Sequence, residues 1–232
     1  MASRPIFIAT SSPERFVKEV SLDFAWSPGF SVTQKKKNIV ALHEAARRRG
    51  LTPILAVSTK SEDLLGQRLS AFSLKLPTPV GEITIESAFQ GSKVFEGGGP
   101  YNDLYMLDSR SAKSDLRLKN SGRLVGFNFF GQVWPLEPKT CFYDWLYLSA
   151  LKPHKEFLKR LYLYEGFSDI EFNPERSINC QARTCALLVS LLKLDLLDRA
   201  LSSQSEFISY VRSDASRQPH SIGPVQQTFI DD

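Results

Sequence analysis

Residues 84–100 read TIESAFQGSKVFEGGGP, and this stretch predicts a short helix that ends at a run of glycines. Thr84 is a suitable N-cap, and the segment up to Glu96 contains no proline. The glycines at 97–99 supply the left-handed residues that commonly follow a helix. We therefore expect a helix over residues 85–96, with the rest of the chain packed around it.

Three polar side chains share one face of this predicted helix. Glu86, Gln90 and Lys93 are spaced i, i+4 and i+7. Helical side chains lean toward the N-terminus, so the Lys93 amine and the Glu86 carboxylate are placed to bracket a sugar ring. The helix dipole favours a charged Glu86, and apolar neighbours favour an uncharged Lys93, the nucleophilic form. The spacing leaves open an amphipathic helix whose polar face is merely solvated.

Length, composition and charge limit the class of protein. The chain has 232 residues, 42% of them hydrophobic, and a net charge of +4, which allows a polyanionic partner. We expect one domain over residues 1–212 and a flexible tail over 213–232. No signal peptide or membrane-spanning stretch is evident, which predicts a cytoplasmic protein. Cys141, Cys180 and Cys185 lack CxxC spacing, so neither a metal site nor a cofactor is predicted.

The remaining pattern predicts an α+β protein, mainly helical, with a small β-sheet. The segment before Phe30 reads as an irregular lead, and a well-capped helix follows from Ser31 or Thr33 to Arg49. Strands are expected at 54–57, 69–76 and 124–134. Further helices are expected at 100–105, 109–119, 142–151, 156–164 and 182–201.

Two further segments are candidate anion sites. The glycine turn at 97–99, which leads into Pro100, is either a seat for a pyrophosphate or a simple corner between two helices. Lys35, Lys36 and Lys37 lie in a helical first turn, where cations are unfavourable, so they indicate either an anionic partner or a solvated basic face.

A polar loop at residues 167–183 precedes the most apolar helix of the chain and is expected to project over a cleft. It carries Asp169 and Glu171. Asn179 is either a ligand contact or only an N-cap. Arg183 lies in a first turn, where the dipole opposes it, which favours an anionic ligand or a carboxylate partner.

Several of these motifs resemble one protein family. TIESAFQGSKVF at 84–95 resembles the T-S-E-H-x-F-Q-A-x-K-F signature of the NADAR superfamily, the YbiA-like proteins. Ser70 and Phe72 lie in a stretch similar to the family's upstream F-S-N-F element, and Trp134 is similar to its mid-chain tryptophan. Other stretches resemble the branch encoded beside DarT toxins, namely SPGFSVTQKKKNI, LGQRLSAF, KVFEGGGPYNDL, FYDWLY and DIEFNPERSINCQAR. The resemblance covers residues 18–195.

The resemblance implies a NADAR-like fold and an antitoxin that removes ADP-ribose from guanine in DNA by cleaving the N-glycosidic bond. Glu86 then corresponds to the catalytic glutamate and Lys93 to the helix lysine, with DNA along Lys35, Lys36 and Lys37. The C-terminal motif departs from the family pattern, because Asp169 and Glu171 are not followed by the family's Trp-Gly pair. Together with the loop chemistry, the resemblance implies these substrate contacts: Ser70, Phe72, Gln90, Gly98, Gly99, Tyr101, Trp134, Asp169, Glu171, Asn179 and Arg183.

Three alternatives share these residues. The first is a glycosidase of a free ribosylamine metabolite, the second a module that neutralises a toxin by binding it, and the third a protein that binds ADP-ribose without cleaving it. The expected partners are ADP-ribosylated DNA, its product ADP-ribose and a DarT-type toxin, and the sequence makes no prediction of oligomeric state.

Overall fold

The computed structural model describes residues 1–175 and 177–215. These residues form two compact units. We call them the terminal unit, which comprises Met1–Ser70 and the described residues from His154 onward, and the central unit, Ala71–Pro153. The single domain over residues 1–212 stays a prediction. Its expected end falls inside a helix that continues to Ala215, and residues 216–232 of the expected tail lie outside the described residues.

The terminal unit contains a four-stranded sheet in the order β2, β1, β9, β3. Its strands are β1 (Ala2–Ser12), β2 (Arg15–Phe24), β3 (Ile54–Ala56) and β9 (Gly166–Ser168). The β1–β2 and β1–β9 pairs are antiparallel, and β3 and β9 are parallel. Its helices are α1 (Val32–Arg48), α2 (Leu64–Arg68), α7 (Lys155–Lys159), a 3-10 helix (Arg160–Leu163), α8 (Gln181–Lys193), α9 (Leu197–Ala200) and α10 (Gln204–Ala215).

The prediction of an irregular N-terminal lead was wrong, because β1 and β2 form a long hairpin. Its register runs from Ala2 opposite Phe24 to Ala9 opposite Val17. Pro5 lies within β1, where a proline cannot donate a ladder hydrogen bond. In the structure β9 pairs with β1 only after Pro5, at the next two residues, so the proline interrupts no ladder on that side.

The prediction of α1 is confirmed in detail. Ser31 is the N-cap and accepts a hydrogen bond from the Gln34 N–H at 3.2 Å, and Gly50 follows the helix with a φ of +75°. The buried stripe of α1 packs on β-strand residues in one cluster with members Ile6, Leu22, Phe24, Ile39, Leu42, Ala46, Ala56 and Ile170. The apolar helix α8 packs against the same sheet.

The central unit contains a β4–β5 hairpin and an antiparallel sheet in the order β6, β7, β8. Its strands are β4 (Lys75–Thr78), β5 (Gly81–Thr84), β6 (Lys93–Phe95), β7 (Leu124–Phe129) and β8 (Gln132–Trp134). Its helices are α3 (Ile85–Gly91), a 3-10 helix (Asn102–Met106), α4 (Ser109–Lys113), α5 (Arg117–Asn120) and α6 (Cys141–Leu151).

The α+β class is confirmed, but the described residues form three sheets rather than one small sheet. The strand expected at 69–76 was wrong over residues 69–74, since turns precede β4, which begins at Lys75. The strand expected at 124–134 is two strands, because Phe130 and Gly131 adopt positive φ angles of 48° and 87° and reverse the chain. The hydrophobic pattern alone could not distinguish strand residues from other buried residues in these segments.

Candidate functional site

The helix α3 is shorter than its sequence predicts. Thr84 caps it, as expected, and accepts a hydrogen bond from the Ser87 N–H at 3.2 Å. The helix ends at Gly91, however, and Lys93 begins the strand β6. Gly91 is required at this end because a Cβ there would lie 2.6 Å from the Tyr105 ring. The prediction of a helix to residue 96 was therefore wrong, and Lys93 does not share a helical face with Glu86.

Glu86 and Gln90 do share a face of α3, as their i, i+4 spacing predicts. Gln90 Nε2 donates a hydrogen bond to Glu86 Oε1 at 2.9 Å. Both side chains are buried, with 7% of Glu86 and 5% of Gln90 exposed. The side-chain amide oxygen of Gln90, Oε1, is buried and has no hydrogen-bond partner in the structure. A donor brought in by a ligand would satisfy this acceptor.

Lys93 reaches the same region from the strand. Its Nζ lies 5.1 Å from the centroid of the Phe89 ring on α3, and only 3% of the residue is exposed. Burial lowers the pKa of Lys93 to about 8, against the opposing attraction of the Glu86 carboxylate, and the charge of Lys113 lowers it further. The expected pairing of a carboxylate with an amine of lowered pKa is therefore present, although sheet pairing and not helical periodicity produces it.

Trp134 lies behind Lys93 and not on a ligand surface. Phe127 on β7 is the register partner of Lys93 on one side and of Trp134 on the other. Trp134 is 0% exposed, its indole N–H is buried without a hydrogen-bond partner, and its ring packs against Phe142 and Trp145. Because none of the indole surface is exposed, Trp134 is a core residue in this structure, and its contact with substrate stays a prediction.

The glycine turn has a packing role. The Gly97 N–H donates to the Ser121 carbonyl at 2.9 Å, and the Gly98 N–H is directed at the Phe95 carbonyl at 3.4 Å. At Gly99, where φ is +88°, a Cβ would lie 2.3 Å from the carbonyl oxygen of Lys93. The turn therefore folds tightly onto β6 and uses these donors internally, which argues against the predicted pyrophosphate seat at Gly98 and Gly99.

Three other residues predicted to contact substrate, Ser70, Phe72 and Tyr101, differ in their surroundings. Phe72 is 40% exposed, whereas Ser70, in the terminal unit, is 2% exposed. The hydroxyl of Tyr101 pairs with Ser121 Oγ, and the Arg117 guanidinium lies 4.6 Å from the centroid of the Tyr101 ring. Among these three, Phe72 offers the largest fraction of its surface to a ligand.

Asp169 and Glu171 form a second cluster, in the terminal unit. The Glu171 N–H donates to Asp169 Oδ1 at 3.0 Å. Burial, and to a lesser extent the charge of the neighbouring Glu171 carboxylate, raises the pKa of Asp169 to about 7. Burial would also raise the pKa of Glu171, but the hydrogen bond and charge of Lys35 bring it below its usual value. Ser58 Oγ donates to the other Glu171 oxygen at 3.3 Å.

Three of the remaining predicted loop and rim residues, Asn179, Arg183 and Lys35, interact with other parts of the protein. The N-cap of α8 is Cys180 and not Asn179, whose carbonyl accepts from Ser177 Oγ at 3.3 Å. Burial raises the pKa of Glu19 and the charge of Arg183 opposes this, so Glu19 is a carboxylate that attracts Arg183. Lys35 pairs with Glu171.

Two of the three rim lysines line a cavity on α1. It has a volume of about 500 Å³, and its walls are formed by Thr33, Lys36, Lys37, Val40, Ala41, Glu44 and Glu62. Residues 1–175 and 177–215 contain no cluster of His, Cys, Asp or Glu suited to a metal ion. Within the same ranges, no helix has the length and apolar character needed to cross a membrane.

Sequence reasoning missed Lys113, the last residue of α4. Its Nζ lies 3.8 Å from Glu86 Oε1, although the two residues are far apart in the chain. It also missed Phe89, whose ring packs with Phe127 at 5.2 Å and forms the apolar wall beside Lys93. The helical spacing of Phe89 indicated core packing only, and no local signal marked Lys113.

The fold and site define an α+β protein with a buried glutamate, glutamine and lysine grouped beside an aromatic core. The sequence matches a family model, NADAR-DarT1, described as DarT1-associated NADAR antitoxin, over residues 2–221. The chain therefore belongs to this family of DarT1-associated NADAR antitoxins. No curated protein matches the sequence.

Proposed function

We propose that this protein acts as an antitoxin that removes ADP-ribose from guanine bases in DNA by hydrolysing the N-glycosidic bond, and so reverses a DarT-type toxin. Membership of the family supports the pairing with a toxin. The observation that carries the chemistry is the grouping of Glu86, Gln90 and Lys93, with a hydrogen bond of 2.9 Å from Gln90 to Glu86. In this proposal the α+β arrangement is the NADAR-like fold and the protein acts in the cytoplasm.

The first step is departure of the base. Cleavage of the C1′–N bond sends the bonding electrons to guanine, which takes a proton from Glu86 or a neighbouring acid, and leaves positive charge on C1′. The Glu86 carboxylate stabilises that charge, and Gln90 holds the carboxylate in position through its Nε2 hydrogen bond. Because 7% of Glu86 is exposed, little water competes with this interaction.

The second step uses Lys93 as a nucleophile. With a pKa of about 8, roughly one Lys93 side chain in ten is uncharged at pH 7, against about one in three thousand at its ordinary pKa of 10.5. The free amine attacks C1′ and forms a C–N bond. The amine then loses a proton, the C1′–O4′ bond opens and O4′ is protonated, which leaves an imine. Water hydrolyses the imine, releases ADP-ribose and restores the amine.

The remaining site residues are proposed substrate contacts. Phe72 offers an exposed ring for stacking a base. Asp169, Glu171, Asn179 and Arg183 are proposed to contact the ADP-ribose moiety. The DNA strand is proposed to follow Lys36 and Lys37, because Lys35 is engaged by Glu171. Its affinity should then fall steeply as salt rises.

One observation favours a non-catalytic alternative. Glu86 and Lys93 are 7% and 3% exposed, so a substrate reaches them only if covering side chains move aside. A module that binds the toxin or ADP-ribose without cleavage requires no such access. A glycosidase of a free ribosylamine metabolite would use the same three side chains on a smaller substrate.

The test is to incubate the pure protein with ADP-ribosylated guanine DNA and to measure free ADP-ribose. We expect turnover by the wild type and a loss of about 100-fold or more in Glu86→Gln. The matched control is Glu96→Gln, which removes an exposed carboxylate of the same unit that pairs with Arg123. Borohydride added during turnover should leave a mass adduct on Lys93.

The outcomes separate the alternatives. Turnover of the small ribosylamine but not of modified DNA would identify a metabolite glycosidase. Rescue of toxin-exposed cells by Glu86→Gln, without release of ADP-ribose, would establish a binding module and overturn the enzymatic proposal. Normal turnover without a borohydride adduct would restrict Lys93 to positioning the substrate.

A further inference from the structure

Lys113 contacts the proposed catalytic carboxylate from a separate helix. Its Nζ lies 3.8 Å from Glu86 Oε1, and α4, which ends at Lys113, packs directly on α3. The helix is anchored at its start, where Asp108 Oδ1 accepts hydrogen bonds from the N–H groups of Arg110 and Ser111 at 3.0 and 3.1 Å. The geometry of the contact therefore follows from the fold.

A second contact holds the Lys113 ammonium in place. The Nζ lies 5.4 Å from the centroid of the Phe72 ring, within the distance of about 6 Å at which a cation is attracted to an aromatic face. The Lys113 side chain is 56% exposed, whereas that of Glu86 is 9% exposed. The ammonium is thus a solvated cation at the edge of a buried carboxylate.

Glu86 consequently interacts with two lysines. Lys93 is buried and acts on Glu86 from the strand, and Lys113 acts on it from α4. The Glu86 carboxylate favours the charged form of Lys93. The positive charge of Lys113 opposes this effect, because nearby like charges disfavour each other's charged forms. The charge of Lys113 is one of the influences that lower the pKa of Lys93, after burial and against Glu86.

Titratable groups also lie on the elements packed around α3, and two of them have these contacts. Asp144 of α6 accepts a hydrogen bond from Thr140 at 2.7 Å. Tyr105 of the 3-10 helix pairs with Ser92 Oγ at 3.0 Å. The charged groups that act on Lys93 are Glu86 and Lys113.

We propose that Lys113 is a positioning residue that shares the Glu86 carboxylate with Lys93 and thereby increases the fraction of Lys93 in the uncharged, nucleophilic form. This inference rests on the proposed function for its catalytic meaning, since an uncharged Lys93 matters only if Lys93 reacts. The effect of Lys113 on the charge of Lys93 is a property of the protein without substrate and does not depend on that function. Lys113 itself touches no reacting atom in this scheme.

The experiment compares Lys113→Gln, which removes the charge, with Lys113→Arg, which keeps it. In protein with ¹³C-labelled lysine, the Lys93 signal is assigned by its loss in Lys93→Met and titrated by NMR. We expect the pKa of Lys93 to rise by about half a pH unit or more in Lys113→Gln and to stay near the wild-type value in Lys113→Arg. The matched control is Arg110→Gln, an exposed cation on the same helix.

The pH dependence of kcat/KM supplies the second readout. Lys93 must lose a proton to react, so its acid limb should move to higher pH in Lys113→Gln by the same amount as the titration, and Lys113→Arg should restore it. An unchanged Lys93 titration in folded Lys113→Gln would overturn the proposal. A shifted titration in a protein that releases no ADP-ribose would sustain the electrostatic role and contradict only the proposed function.

Discussion

Lys93 and Trp134 face the same side of the three-stranded sheet, because both are register partners of Phe127 in the strand between them. One of the two is a cation and the other a fully buried indole. The aromatic core on this face of the sheet therefore forms the apolar surroundings of Lys93, and this burial is the largest cause of its lowered pKa. The packing of aromatic side chains on this face of the sheet therefore affects the proposed reactivity of Lys93.

The first prediction concerns the pH dependence of folding stability. The pKa of Lys93 is about 8 in the folded protein and 10.5 ordinarily, so between these values the unfolded state binds more protons. Below pH 8 the folded protein bears the full free-energy cost of burying a charged Lys93. This cost decreases as the pH rises to 10.5. Lys93→Met should stabilise the protein at pH 7, and its advantage should shrink by about 2 kcal/mol by pH 10. Urea unfolding at both pH values measures this.

The control for that prediction is Lys75→Met, a lysine whose side chain is 58% exposed. Its effect on the free energy of unfolding should vary little between pH 7 and pH 10. Equal pH dependence in the two variants would show that Lys93 is not desolvated.

The second prediction concerns the glycine turn. Gly99→Ala places a Cβ 2.3 Å from the Lys93 carbonyl oxygen at a φ of +88°, whereas at Gly81, with φ +109°, nothing lies within 4 Å of a Cβ. Gly81→Ala should lower the free energy of unfolding by about 1 kcal/mol, the cost of a positive φ, and Gly99→Ala by at least about twice that. Equal losses in thermal unfolding would exclude the close contact as a cause.

The third prediction concerns Asp169. Its pKa of about 7 in the folded protein exceeds its ordinary 3.8, so the folded state binds more protons between these values. The contribution of Asp169 is therefore fully present below pH 3.8 and is lost as pH rises through 7. In the wild type, Asp169 should make the free energy of unfolding fall by about 2 kcal/mol between pH 5 and pH 8. Asp169→Asn should abolish this fall. Parallel stability curves for wild type and variant would contradict the burial of this carboxyl group.

The fourth prediction separates packing from ligand binding. Trp134→Phe should lower the free energy of unfolding by about 1–3 kcal/mol and leave KM for modified DNA unchanged, because the indole is 0% exposed. Phe72→Ala should raise KM several-fold at little cost in stability, since its ring is 40% exposed. A raised KM in folded Trp134→Phe would return Trp134 to the substrate pocket.

Part of the site was predictable because it is local. The hydrogen bond between Gln90 and Glu86 follows from i, i+4 spacing on a helix, and Thr84 caps that helix as its side chain predicts. The helix α1 was equally predictable, since its cap, its buried stripe and its C-terminal glycine lie within one short segment. The sequence also carried the family resemblance, which the family match confirms.

The end of α3 was not predictable from local spacing. Residues 92–96 contain both helix-compatible and strand-compatible types, and pairing of β6 with β7, about 30 positions further on, decides between them. The same pairing places Lys93 against the aromatic core. The hairpin of β1 and β2 was missed for a related reason, since Pro5 is tolerated only because β9 pairs beyond it.

The sequence by itself determined the identity of the family, the helix that carries Glu86 and Gln90, and the residues capable of glycosidic chemistry. Only the tertiary structure decided that Lys93 lies on a buried strand and is influenced by the Glu86 charge, that Trp134 is core, and that Lys113 contacts Glu86. The physical reason is the separation along the chain of the residues that interact. Caps and i, i+4 contacts depend on neighbouring residues, whereas burial, strand register and the charges that set a pKa depend on segments brought together by folding.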